Sequence, residues 1–261
     1  MAGGGWAEVE EIVAGLEPEV EIGVAAHLVG TCCSWSCHGE VVYPAASTIK
    51  VAILVALARA LDAGRVSLPD EVAVSSEAVV QGSGVLLELQ PGLSLPIADL
   101  AYLMIAVSDN TAANVLIEEI GLAEIQETIT GLGMSDLQLN RRFLGRLPGP
   151  DEPENYATAR DLTMLLTAIA EERAASPVQC AWMLEVLGKQ QKRDRLARFL
   201  PDDVTFAGKY GSLPGYAHDS GLISHRDETL AIAVLTSGFS DPYAADIVIG
   251  DIALAMLDEL T

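Results

Sequence analysis

Apolar residues recur at helical spacing over residues 6–16 and predict a surface helix near the start of the chain. Residues 20–30 read instead as an extended run, and 40–43 as a second strand beyond a Cys-rich turn. Tyr43-Pro44-Ala45-Ala46 breaks extended structure, and a long helix is expected from Ser47 to about Ala63, closed by Gly64. The spacing then predicts helices over 97–107, 111–119, 123–130, 159–172 and 177–187. Between Leu139 and Asn155 the periodicity disappears into three prolines, two glycines and three acids. A loop of that length inside a compact domain usually carries function. Extended runs return at 204–208, 220–225 and 229–237, before a final helix over 243–260. Strands at both ends around a helical middle predict an α/β fold of the α+β type. The sheet domain is expected over 1–44 and 190–261, with an all-α domain inserted over 45–189.

Composition narrows the function classes. The chain has 261 residues and a formal net charge of −22, yet half of it is hydrophobic and its mean hydropathy is +0.33. The acidity therefore coats a full core, unlike a disordered acidic tail, which lacks hydrophobic residues. A field this negative repels phosphates, so neither nucleic acid nor a membrane surface is expected as a partner. The longest apolar stretch, 51–58, ends at Arg59, too short for a bilayer span. No basic stretch followed by an apolar run opens the sequence, so no secretory signal is read and a cytoplasmic location is expected. Cys32, Cys33 and Cys37, followed by His38, meet zinc spacing only in part. They are read as reduced thiols at a hairpin tip, and no metal or cofactor is expected. Only four lysines occur, Lys50, Lys189, Lys192 and Lys209.

Three short motifs carry the candidate chemistry. Ser47-Thr48-Ile49-Lys50 stands where a loop enters a helix, and residues three apart share a helical face, so the Lys50 amine can reach the Ser47 hydroxyl. Free N–H groups at a helix start favour a developing oxyanion. Taken alone, the same four residues are also a capping serine and a surface lysine. Ser108-Asp109-Asn110 lies at a helix–helix corner. Ser108 is suited to a proton relay with Ser47 and Lys50, Asn110 to holding a substrate amide, and Asp109 to bracing the corner. Lys209-Tyr210-Gly211-Ser212 ends an extended run. Gly211 permits close approach of backbone or substrate, and the Ser212 N–H is placed to join the Ser47 N–H as an oxyanion hole.

In this order, the three motifs resemble those of the class A β-lactamases and the penicillin-binding serine enzymes related to them. The likeness runs from the extended segment at Val20 to the C-terminal helix. It implies an antiparallel sheet with flanking helices plus a helical domain, a Ser47 nucleophile that forms an acyl-enzyme, and Lys50 as proton acceptor. It also implies a small-molecule substrate, a β-lactam or related amide or ester whose carboxylate is steered by Lys209. Lys50 acts as a base only when neutral, and both burial and the Lys209 charge push it that way. Lys50 and Lys209 are thus expected to form a small positive cleft in an acidic surface.

Two departures stand out against that resemblance. If Arg141 is the arginine that ties the long loop shut, Phe143 occupies the place of the glutamate that activates the deacylating water, and Asn155 replaces the acid at the loop's far end. Asp151, Glu152 and Glu154 are read as solvated loop charge. Tyr210 stands where the family has Thr or Ser, and its longer side chain must reshape the carboxylate position. An apolar group from Phe143 is expected on the loop side of Ser47. Among the histidines, His27 falls on a strand and His225 after one, while His218 is read as a strand-turn residue near the cleft rim. Three functions stay open: a serine hydrolase with slow or atypical deacylation, a penicillin-binding or sensor module that stays acylated, and a non-catalytic binding protein. The oligomeric state is left open by the sequence.

Overall fold

The computed structural model describes residues 4–260; residues 1–3 and Thr261, which the sequence places in the sheet domain, lie outside the described residues. The chain begins with α1 (Gly4–Ala14), β1 (Glu21–Leu28), β2 (Ser34–Cys37) and β3 (Tyr43–Pro44), then α2 (Lys50–Asp62) after a 3-10 turn over Ala46–Ile49. The middle contains β4 (Glu71–Ala73), β5 (Ser94–Pro96), α3 (Ile97–Ala106), α4 (Asn110–Ile120), α5 (Leu122–Gly131), β6 (Tyr156–Ala157), α6 (Ala159–Ala170) and α7 (Pro177–Leu187). It ends with β7 (Thr205–Leu213), β8 (Tyr216–His225), β9 (Glu228–Ser237) and α8 (Pro242–Ala255), followed by a 3-10 turn over Met256–Leu260.

Five strands form one antiparallel sheet in the order β2-β1-β9-β8-β7. Its central strands are buried on both faces, and the period of two sorts their side chains. Ile22, Val24 and Ala26 of β1, with Ile232 and Val234 of β9, pack against α1 and α8. The opposite face offers Ala25, Ala231 and Ala233, whose small side chains let α6 lie close to the sheet. Thr163 of α6 donates to the Ala25 carbonyl at 3.0 Å. In the helical region, α2 is buried on nearly every side and forms the axis around which α3, α4, α5 and α7 pack.

The strand expected at 40–43 is displaced. The hairpin partner of β1 is β2, and Tyr43–Pro44 pairs with Tyr156–Ala157 instead. Ser34-Trp35-Ser36-Cys37 carries no β-branched residue, so its propensity is low; pairing with β1 overrides it. Cys32 and Cys33 are exposed in the hairpin turn, and Cys37 is on β2. The last hairpin is longer than its apolar runs. Gly208, Gly211 and Pro214 read as chain breakers, yet β7 continues to Leu213 and β8 begins at Tyr216. The Phe206 ring lies across the facing Gly208 and Gly221, so two glycines serve as the seat for one large side chain. Among the described residues, no helix is long and apolar enough to cross a membrane.

The α3–α4 corner is held by Asp109, as its capping role implied. One carboxylate oxygen accepts from Ala112 N at 2.9 Å, and the other from Val85 N at 2.6 Å and Leu86 N at 2.9 Å. Gly84 packs directly on this side chain, leaving no room for a Cβ. Asp109→Ala strands three backbone donors, so unfolding measurements should show a loss of about 2–4 kcal/mol, whereas Asp109→Asn, which keeps one acceptor, should lose about half as much.

Candidate active site

The Ser47 side of the site begins with a short strap. Tyr43–Pro44 pairs with β6, Ala45 N donates to Asn155 O at 2.8 Å, and Ala46 turns left-handed at φ 50°. That strained residue swings Ser47 onto the first turn ahead of α2. Thr48 secures the turn by donating its hydroxyl to Ala45 O at 2.6 Å. Lys50 follows at the first helical position, fully buried. Its Nζ donates to Ser108 O at 2.7 Å, Ser108 Oγ at 3.1 Å and Asn110 Oδ1 at 2.8 Å. Ser108 can present both oxygens because it too is left-handed, at φ 57°. Burial pushes the Lys50 amine down to about 7, against the opposing pull of the Asp109 carboxylate.

The third wall is β7, the free edge of the sheet. Tyr210 N turns outward and donates to Gln190 Oε1 at 2.6 Å. By the alternation of an antiparallel strand, the Ser212 N–H lies on the same free edge. Gly211 sits between them against the Ser47 turn, and a Cβ there would come within 3.0 Å of both Ser47 N and Thr48 N. The close approach of β7 to the Ser47 turn therefore depends on residue 211 having no side chain.

Lys209 departs from its expected place. It is fully buried, its Nζ donating to Tyr210 O at 2.8 Å and lying 3.8 Å from the centroid of the Tyr210 ring. Burial first, and then the Lys50 charge, hold its amine well below the ordinary lysine range. The Tyr210 phenol does not extend outward. It folds back, its ring lying over the Lys209 amine. The small positive cleft expected from Lys50 and Lys209 is thus absent from the surface. Phe143, by contrast, is where the sequence put it. Asn114 pins its backbone, accepting from Phe143 N at 2.8 Å and donating to Phe143 O at 3.0 Å, and the ring centroid is 4.4 Å from Lys50 Nζ.

The loop acids are not simply solvated. Glu154 is largely buried and pairs with Arg141 at 2.6 Å, while Asn155 Oδ1 accepts from Asn140 N and Arg141 N. The loop neck therefore keeps an ion pair one residue before the position expected for it. Glu152 chelates Arg146 at 2.6 and 2.7 Å, which holds its carboxyl down at about 2. His218 is not at the rim either. It is buried within β8, accepting from Thr236 N at 3.1 Å and lying 3.0 Å from Pro44 O, and burial lowers it to about 4.

Arg195 was invisible in the sequence. It is buried, contacts Asp246 at 2.5 Å, and donates to Gly211 O at 2.6 Å, His218 O at 2.8 Å and Ser212 Oγ at 2.8 Å. It thus clamps the end of β7 to β8 and α8. Its segment shows no periodicity, and no motif marks it. Gln190 was missed for the same reason. The three walls and the loop enclose a cavity of about 250 Å³ that Ser47, Ser83, Asn110, Phe143, Arg146 and Ser212 help to line.

The chain matches the Beta-lactamase enzyme family over residues 7–260. Among solved structures, it is similar to a β-lactamase from Sphaerobacter thermophilus DSM 20745, at 38% identity over 98% of both chains and a TM-score of 0.93. A mutant of PBP-A, solved as an acyl-enzyme complex with penicillin G, is 25% identical over 98% of this chain and 96% of that one, with a TM-score of 0.88. The β-lactamase regulatory protein BlaB of Streptomyces cacaoi is 26% identical over 74% of this chain and 77% of its own length. The antiparallel sheet with its helical companion is the fold of these neighbours.

Because Gly211 touches the Ser47 turn, Gly211→Ala should slow the chemistry of the site without unfolding the sheet. A displacement of a fraction of an ångström at Ser47 should lower the rate of Ser47 acylation roughly 10²-fold, measured by stopped flow with a chromogenic ester, while circular dichroism stays unchanged.

Proposed function

We propose, for a chain that belongs to the Beta-lactamase enzyme family, that it is a serine hydrolase acylated on Ser47 by a β-lactam or a related amide or ester, and that it releases the acyl group slowly. The observation that carries this reading is the buried Lys50 amine, brought down to about 7 and held between Ser108 and Asn110. A neutral amine at this point is a base at physiological pH.

In acylation, Ser47 Oγ attacks the carbonyl carbon as Lys50 accepts its proton. Ser47 N–H and Ser212 N–H stabilise the oxyanion. Asn110 holds the acyl-side amide. Ser108 relays the proton from Lys50 to the leaving nitrogen or oxygen as the C–N or C–O bond breaks. What remains is an ester on Ser47 and a neutral amine or alcohol, which departs from an open-chain amide or ester and stays tethered to the acyl group of a β-lactam. Tyr210 and Lys209 border the leaving-group side of this site, with Gly211 between Tyr210 and the oxyanion donor.

Hydrolysis of that ester needs a base to activate water, and Phe143 supplies none. Its ring faces Lys50, with Asn114 fixing the loop backbone on both sides of the peptide unit. The same fact favours a second reading, a penicillin-binding or sensor module whose function is the long-lived acyl-enzyme itself. Penicillin G acylation of the PBP-A mutant is consistent with either.

Intact-mass spectrometry over time separates them. With a penicillin, a single adduct should form that Ser47→Ala abolishes, and it should decay over minutes for a slow hydrolase or persist for hours for a sensor. Absence of any Ser47 adduct from penicillins and simple esters would leave only a binding role. Phe143→Glu should speed loss of the adduct by roughly 10²–10⁴-fold, the usual contribution of a general base, with little change in its formation.

A further inference from the structure

The acyl-enzyme reading leaves the leaving-group side of the substrate undefined, and the charges around the cleft define it. Each cation at the site already has a partner. Lys50 is engaged by Ser108 and Asn110, Arg141 by Glu154, Arg146 by Glu152, Arg195 by Asp246, and Lys192 by Asp194 at 2.7 Å. Lys209 is the remaining one, and it is covered by the ring of the residue that follows it. Burial keeps the Tyr210 phenol neutral by pushing it above its ordinary range, so it brings no charge of its own to the subsite.

Tyr210 is held in this pose from several sides. Gln190 fixes its backbone N–H, Lys209 Nζ bonds its carbonyl, and Lys192 Nζ lies 5.8 Å from the other reach of the ring. Seating a carboxylate on Lys209 requires the ring to leave, which uncovers a buried amine. A carboxylate that enters with the ring in place is desolvated with no cation to receive it, a costly arrangement. The net charge of −22 adds long-range repulsion of any anionic substrate. An uncharged leaving group meets none of these penalties, and finds an aromatic face in their place.

We propose that Tyr210 is a specificity-determining residue that closes the Lys209 subsite, so that this protein is acylated preferentially by esters and amides whose leaving group carries no carboxylate. The proposal rests on Ser47 being the acylated residue. The bonds made and broken are those of the acylation step above, and only the group that takes up the relayed proton differs.

Benzylpenicillin and its methyl ester test it, because Ser47 would open the same β-lactam bond in both, the leaving nitrogen staying tethered in the adduct, and they differ only in the charge carried on that side. In the wild type, the second-order rate of Ser47 adduct formation should be at least about tenfold higher for the methyl ester. Tyr210→Ser should invert that preference by exposing Lys209, and Tyr210→Phe, which keeps the ring, should retain it. Faster acylation of the wild type by the free acid would overturn the proposal, as would a preference unchanged in Tyr210→Ser. Should neither compound acylate Ser47 in any variant, while a neutral phenyl ester does, closure of the subsite would not explain the result and the proposal would fail. Should no ester acylate Ser47 at all, the acyl-enzyme reading itself would be the part that fails.

Discussion

Burying an ammonium group costs several kcal/mol unless it loses its charge or is fully hydrogen bonded, and the surroundings of Lys50 provide for each state in turn. Three oxygens converge on its nitrogen, and burial lowers its affinity for the proton. Much of the surrounding chain is arranged to bring those oxygens there. Ser108 adopts a left-handed conformation to offer its carbonyl and hydroxyl together, and Asp109 holds the corner that keeps it so. On the other side, left-handed Ala46 leads into the turn that carries Ser47 toward α2. Strain of this kind persists only where the rest of the fold over-determines it, and it clusters at sites of chemistry.

The same constraint unites two substitutions that look unrelated along the chain. Phe143 comes from the long loop and Tyr210 from the edge strand, yet each lays its ring over one of two buried lysines. Burial of both amines favours their neutral forms. One consequence is a base available for acylation. The other is a site with no carboxylate to activate water and no open cation to attract an anion. The acidic coat and the paired arginines agree with this inner arrangement. Charge is abundant on the protein and balanced at the cleft.

Much of this was legible in the sequence because chemistry of this type requires fixed spacings. Ser47 and Lys50 share a helical face, the Ser108-Asp109-Asn110 corner interrupts two apolar helices, and Phe143 falls at a countable distance from Arg141. Helices with strong periodicity, such as α6, were also visible. Features set by pairing across the chain were not. The strand carrying Lys209 reads as ending at Gly208, because the value of two facing glycines to Phe206 appears only once β8 is opposite. Arg195 bonds to residues far along the chain, so no local pattern announces it. His218 has the composition of a turn, but the carbonyl of Pro44 and the amide of Thr236 make it a core residue. Glu154 was taken for loop charge because its partner lies across the loop neck rather than beside it.

The protonation of Lys50 is the property on which the account turns. It can be read directly by following the Lys50 Cε and Nζ resonances in a selectively labelled sample, with Lys50→Arg for assignment. The account predicts titration near pH 7 and a rise when Phe143 is replaced by glutamate. Titration of Lys50 close to 10.5, the ordinary lysine value, would contradict it.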